Sequence, residues 1–332
     1  MEKFSLLDLS PIPDEKTAAD ALSNSAELAI AAEKAGYFRY WVAEHHNMTG
    51  IASSATAVLI GYLASVTKTM RIGSGGIMLP NHAPLMVAEQ FGTLASIYAN
   101  RIDLGLGRAP GTDMATARAL RRYMTQNDTF PDDVRELIGY LGDMPDDAPV
   151  RAIPGMGTNV PVWILGSSLY GAQLAAYLGL PYAFASHFAP DMLEEALYVY
   201  RVNFRPSETL SRPYAMIAAG VCAAETDAEA EFLRSSQLLS FANIITNNRG
   251  KLPYPTDDLD SKVPAQVMAR AKHMLSVSAT GSPATIETQL RAIIDKYRPD
   301  ELMVTGMIHD HAARVRSFDI AAGVLSGLQE PV

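Results

Sequence analysis

The chain has a single cysteine, Cys222, so it can form no internal disulfide, and a reducing compartment is expected. Long apolar runs are missing too. No stretch reaches the roughly 18 residues of a membrane-spanning helix, and the first fifteen residues carry Asp8, Asp14 and Glu15 instead of the apolar core of a signal peptide. A cytoplasmic protein with no membrane partner is the expectation. Basic charge is in deficit, with 27 Lys and Arg against 36 Asp and Glu and a net charge of −9. That argues against nucleic acid, whose binders show a basic face. No Gly-x-Ser-x-Gly elbow occurs, and Cys222 sits in no nucleophile signature. Gly105-x-Gly107-x-x-x-Gly111 misses the dinucleotide fingerprint by one position and holds Pro110 within it. His309-Asp310-His311 alternates its histidines but lacks further His or Cys at ligand spacing, so a solvated helix start is expected and no metal site.

What is present is enough apolar material for a large core, at 48% of residues. Short β runs alternate with longer helical ones. Strands are predicted over 4–9, 39–43, 71–74, 102–106, 162–165, 182–185, 215–222 and 301–305. Helices are predicted over 17–35, 54–66, 84–98, 112–124, 132–141, 170–178, 192–204, 227–246, 265–277, 283–297 and 312–328. Thr17 and Asp20 have the spacing of a capping box, Gly36 stands where a helix stop needs one, and Pro84 falls in a first turn. Eight β runs with intervening helices imply parallel strands and right-handed crossovers. The count favours a closed (β/α)8 TIM barrel over an open sheet. A single domain over 1–332 is expected, with an irregular, Pro- and Asp-rich insertion after strand seven at about 247–264, shaped like a lid.

The chemistry-bearing residues cluster where these strands end, and in a barrel those ends carry the active site. His45 and His46 follow strand two. Side chains alternate there, so one imidazole should face the mouth as general base or hydrogen-bond donor and the other should pack sideways. Glu44 can fix a tautomer or lie buried on backbone donors. Gly75-Gly76 after strand three fits either backbone lying against a flat ligand or a plain turn. Arg108 after strand four offers a guanidinium suited to phosphate, and Gly166-Ser167-Ser168 opens a helix, where N–H groups attract anions. Leu7, Met78, Leu79 and Phe188 are candidate walls for a small apolar substrate.

Together, Trp41-Val42-Ala43-Glu44-His45-His46, the segment from Gly73 to Pro84, Ala88-Glu89-Gln90, the segment from Arg101 to Arg108, Gly166-Ser167-Ser168 and Glu301-Leu302-Met303-Val304 resemble the bacterial luciferase-like flavin monooxygenases. The likeness spans nearly the whole chain and is strongest to a bacterial subgroup apart from the light-emitting luciferases. It implies a barrel that binds FMN at the strand C-termini and receives it reduced from a separate NAD(P)H-dependent reductase. Dioxygen would add at flavin C4a, and the peroxide would oxidise an aldehyde or similar small organic substrate. By this resemblance His45 is catalytic, and Glu44, Gly75, Gly76, Arg108, Gly166, Ser167 and Ser168 contact the cofactor. The Gly75–Gly76 bond would be a non-prolyl cis peptide. A homodimer formed through the helices after strands two and three is also implied. Gly107 and Gly166 depart from the luciferase pattern, which has a cysteine and an acid there. The competing readings are hydride transfer with F420 on the same fold and a flavin-binding protein without turnover.

Overall fold

The alternation seen in the sequence builds a parallel barrel. The computed structural model describes residues 1–109, 114–120 and 128–329. In chain order the elements are β1 (Lys3–Asp8), α1 (Ala18–Lys34), β2 (Arg39–Val42), α2 (Thr56–Val66), β3 (Arg71–Met78), α3 (Pro84–Ile97), β4 (Ile102–Gly107), α4 (Met114–Ala119) and α5 (Phe130–Leu141). They continue with β5 (Val162–Gly166), α6 (Leu169–Leu178), β6 (Tyr182–Phe184), α7 (Leu193–Asn203), β7 (Ala215–Ala223), α8 (Asp227–Ile245), α9 (Leu259–Lys262) and α10 (Ala265–Met274). β8 (Ser278–Gly281), α11 (Pro283–Tyr297), β9 (Glu301–Thr305) and α12 (His311–Leu328) complete the chain.

Strands β1 to β7 pair in sequence and β9 closes the ring between β7 and β1, every pair parallel. This is the expected eight-stranded (β/α)8 barrel. One strand was not expected. β8 lies outside the ring, where Val221–Ala223 of β7 outruns β9 and Gly220–Ala223 pairs with Ser278–Gly281. Its four residues, Ser-Ala-Thr-Gly, carry too little apolar character to announce a strand; the pairing comes from the free edge of β7. β3 also runs four residues further than predicted, to Met78, with a register shift between Gly75 and Ile77. Local signals elsewhere behave as the sequence suggests. Thr17 and Asp20 form a reciprocal capping box, and Gly36 has φ +88°, a backbone region that other residues rarely adopt. Of the helix predicted over 112–124, the described part is α4 and Leu120, and the remainder, like Gly111, lies outside the described residues.

Side chains alternate along each strand. One set (Phe4, Leu6, Tyr40, Val42, Ile72, Leu104) packs outward under the helices in the main core. The other fills the barrel in layers. The lowest layer is charged: Arg39 donates through Nη1 to Asp103 at 2.6 Å and through Nε and Nη2 to Glu301 at 2.8 and 3.1 Å. Arg71 donates to the other oxygen of Asp103 at 2.6 Å, and the Tyr214 hydroxyl donates to Glu301 at 3.1 Å. Two guanidiniums thus balance two carboxylates. Trp41 forms the next layer, fully buried, its indole N–H reaching Asp103 at 3.2 Å and its ring meeting Trp163 edge-on at 5.2 Å. Room for that indole comes from glycines: a Cβ on Gly73 would lie 2.8 Å from Trp41 Nε1, and one on Gly75 would lie 2.9 Å from Trp41 Cε3. Higher still the barrel holds Leu9, Ala43, Ala185 and Thr305, and the lumen opens.

Removing one partner of a buried pair strands the others' charge, at a cost of about 3–5 kcal/mol. Arg39→Met should lower unfolding stability by that amount in a urea titration, with Glu301 left without its guanidinium and Asp103 held by Arg71 alone. A loss under about 1 kcal/mol, the value of an exposed pair, would contradict the role given to this layer.

Candidate functional site

Above the tryptophan layer a cavity of about 1170 Å³ opens at the C-terminal ends of the strands. Most of the predicted site residues meet there: His45, Gly75, Gly76, Arg108, Gly166, Ser167 and Ser168 all line it. The Gly75–Gly76 bond is cis. Both glycines are needed for packing, since a Cβ on Gly76 would lie 2.6 Å from the Gly105 carbonyl oxygen. Leu7, Met78 and Phe188 are on the wall as expected. Leu79 is not; it is fully buried in the outer core, because the chain turns under the helices at residues 79–81.

The Glu44 side chain, expected at the cofactor, lies elsewhere. It is buried and not among the cavity-lining residues, and it gathers donors from two loops: His46 Nε2 at 2.7 Å, His82 Nε2 at 2.9 Å, Asn81 Nδ2 at 3.2 Å and the Met78 N–H at 2.9 Å. Burial alone would raise its pKa, but the bonds from His82, His46 and Met78 outweigh that and hold it below the usual carboxylate range. Glu44 therefore ties the loop after β2 to the loop after β3. His46 is turned to this carboxylate, away from the cavity, whereas His45 faces in.

His45 lies just past β2, its N–H held by the Ser53 carbonyl at 3.0 Å. Its pKa is depressed by burial, with Glu44 pulling upward and His46 downward, so the ring is neutral near neutral pH. Nδ1 is buried without a hydrogen-bond partner. A neutral ring with an unclaimed nitrogen can hold or pass a proton.

Arg108 comes from the end of β4. Its guanidinium lies 4.0 Å from the centroid of the Tyr170 ring, and Tyr170 is in the first turn of α6. The arginine is thereby placed beside Ser167 and Ser168 at that helix's N-terminus. Ser168 is the N-cap residue but makes no side-chain cap bond, so its hydroxyl and the helix N–H groups remain for an anion. Arg108 itself pairs with Asp128 at 3.1 Å, both about half exposed. Such a pair is weak, and a phosphate dianion can displace the carboxylate.

Other cavity residues had no signal strong enough in the sequence. His187, just past β6, lines the wall with its own Nδ1 unpartnered. Burial, with repulsion from His45, pushes its pKa down to about 4. It could have been found by the same strand-end rule that found His45. The insertion after α8 contributes Arg249 to Leu252. It is pinned by the Leu252 N–H donating to Ile12 O at 2.9 Å and the Asp14 N–H donating to Leu252 O at 2.9 Å. Cys222 is buried, and burial pushes its thiol up to about 12, which leaves it unreactive. Asp310 caps α12, which accounts for the His-Asp-His segment. Among the described residues no helix is long and apolar enough to cross a membrane.

Comparison with known proteins agrees with the fold. A family model described as luciferase-like monooxygenase matches residues 2–297. A protein of Escherichia coli (strain K12) named luciferase-like monooxygenase is 53% identical over 322 residues, covering 97% of this chain and 96% of its own. N-acetyl-S-alkylcysteine monooxygenase of Bacillus subtilis (strain 168) is 39% identical over 238 residues, 70% of each chain. Among solved structures, apo-MsnO8 superimposes with a TM-score of 0.86 at 34% identity, covering 98% of this chain and 99% of its own. At 16% identity the fold alone is shared with the oxygenating constituent of 3,6-diketocamphane monooxygenase from Pseudomonas putida in complex with FMN (TM-score 0.71; 99% of each chain). The same holds for an F420-dependent secondary alcohol dehydrogenase (TM-score 0.69; 99% of this chain and 100% of that one).

The depressed pKa of His187 has a consequence for stability. The unfolded chain takes up this proton near pH 6.5 and the folded chain near 4, so stability is fully present above 6.5 and is lost as pH falls towards 4. Urea unfolding of wild type and His187→Gln at pH 7 and pH 5 should show the wild type losing more over that interval. Equal losses would contradict the burial assigned to His187.

Proposed function

The chain belongs to the luciferase-like monooxygenase family, and from that premise we propose that it is a monooxygenase using reduced FMN and dioxygen on a small organic substrate. The observation that carries the cofactor assignment is the Arg108–Tyr170 stack, which brings a guanidinium to the N-terminus of α6 beside two hydroxyls. The donor set fits a phosphate dianion: one charged fork, Ser167, Ser168 and the helix N–H groups. The Gly75–Gly76 backbone, bare of side chains, offers a flat surface for a ring. F420 suits the site less well. Its longer anionic tail would need further cations near Arg108, and the carboxylates of Asp128 and Asp133 line the cavity there instead.

Bound reduced FMN would supply electrons to dioxygen, delivered reduced by a separate NAD(P)H-dependent reductase. The chain's own part is binding, orientation, proton handling and exclusion of water. His45 is the group for the proton: neutral, half-buried, with Nδ1 unclaimed. Glu44 positions it by fixing the loops on either side. The pinned segment ending at Leu252 and the inner face of α8 shield the mouth from solvent. The N-acetyl-S-alkylcysteine monooxygenase among the relatives supports oxygenation of a small organic molecule as the reaction class.

Two variants separate binding from chemistry. Arg108→Ala removes a charge-assisted contact of about 1.5–3 kcal/mol, so FMN affinity measured by flavin fluorescence should fall by about one to two decades. His45→Ala should leave that affinity intact. With chemically reduced FMN, ¹⁸O₂ and a panel of thioethers and aldehydes, the wild type should place one labelled oxygen in product, and His45→Ala should slow this by about 10²–10⁴. FMN binding unaffected by Arg108→Ala, or no label across the panel with FMN bound, would contradict the proposal.

A further inference from the structure

The wall of the cavity across from Arg108 is polar in a way that an apolar substrate would not require. α8 turns Gln237, Ser240, Phe241 and Ile244 to the cavity, at the i, i+3, i+4, i+7 spacing of one helix face, with Asn243 beside them. Its other side packs Leu238, Leu239 and Ala242 in a separate apolar cluster with Met268 and Leu275. Gln237 is only 8% exposed, yet its amide makes no hydrogen bond within the described residues. Neither does the Ser240 hydroxyl or the Asn243 amide. Gln237 is buried and Ser240 and Asn243 are half-buried, so three polar side chains that spend no bond on the chain face one cavity and can meet a polar partner from outside it.

A cation completes this wall. Arg249, on the insertion after α8, lines the same cavity and has no ion pair, hydrogen bond or ring contact among the described residues, although acids outnumber bases and the chain carries −9. Its neighbours are fixed. Gly250 lies so close to Gly50 that a Cβ there would come within 2.2 Å of the Gly250 carbonyl oxygen, and the Leu252 backbone bonds to Ile12 and Asp14. The guanidinium is therefore offered from an anchored segment.

We propose that this wall is the head-group subsite for substrate, and that it takes an organic carboxylate bearing a nearby amide or hydroxyl group. Arg249 pairs with the carboxylate, Gln237, Ser240 and Asn243 meet the neighbouring polar group, and Phe241, Ile244 and Met274 receive the alkyl portion. The largely apolar substrate suggested by Leu7, Met78 and Phe188 becomes an amphipathic one, with its reacting end towards His45. The inference rests on the flavin reading above, which assigns the Arg108 end of the cavity to the cofactor and leaves this end for substrate.

The test is calorimetric titration of the FMN-loaded protein with N-acetylmethionine and with its methyl ester, in which one methyl group removes the charge that Arg249 should read. The acid should bind about tenfold or more tightly than the ester, a step in keeping with one charge-assisted contact. Arg249→Ala should erase that preference while leaving ester and FMN affinities unchanged, Arg249→Lys should restore part of it, and Gln237→Leu should weaken both ligands. No acid binding, equal binding of acid and ester, or a preference that survives Arg249→Ala would overturn the subsite. FMN titration of the same samples separates the two claims. If FMN fails to bind, the ligand-free protein is titrated, and an Arg249-dependent preference for the acid then upholds the subsite while the flavin reading falls. FMN binding without that preference does the reverse.

Discussion

Everything above the floor of this barrel depends on the charged layer that closes it below. Arg39 reaches across the lumen to Asp103 on β4 and Glu301 on β9, and Arg71 holds the second oxygen of Asp103. A buried ionic cluster is a poor source of net stability, because desolvation offsets most of the attraction. Its effect here is geometric. It fixes the heights of β2, β3, β4 and β9 relative to one another, since a slip of one residue would turn a charge outward into the helical core. Trp41 then sits on Asp103, and Gly73 and Gly75 of β3 make room for its indole. With the lower lumen filled, the lumen opens at the strand ends, where small residues line the wall.

The cavity divides by charge. At one end stand Arg108 and the serines of the β5–α6 turn; at the other stand Arg249 and the α8 amides. Between them lie two histidines that burial keeps neutral near physiological pH. On the proposed reading, that separation would let one cavity hold a phosphorylated cofactor and an anionic substrate without either competing for the other's cation. On the same reading, the carboxylates near Arg108 would oppose any longer anionic tail.

Much of this was legible in the sequence, for physical reasons that also explain what was not. The barrel could be read because each outward-facing strand residue is apolar and each helix has its stripe. The strand-end cavity could be read because arginine, serine and histidine at strand ends have little structural purpose there. Glu44 stood in the same kind of position, yet its side chain goes to the neighbouring loop, a choice made by His82 and Met78, over thirty residues away. β8 was invisible because its pairing is lent by the overhanging edge of β7. Gln237 and Arg249 looked like ordinary helix and loop residues, since nothing in their spacing shows that α8 and the insertion bend over the mouth.

A crystal structure of the protein with FMN tests the central claim most directly. The account predicts the phosphate between Arg108 and the Ser167–Ser168 turn, Asp128 displaced from the arginine, the ring system against the Gly75–Gly76 backbone with His45 facing it, and the Gln237–Arg249 wall still open. A phosphate seated on Arg249, or a ring system placed away from Gly75 and Gly76, would contradict it.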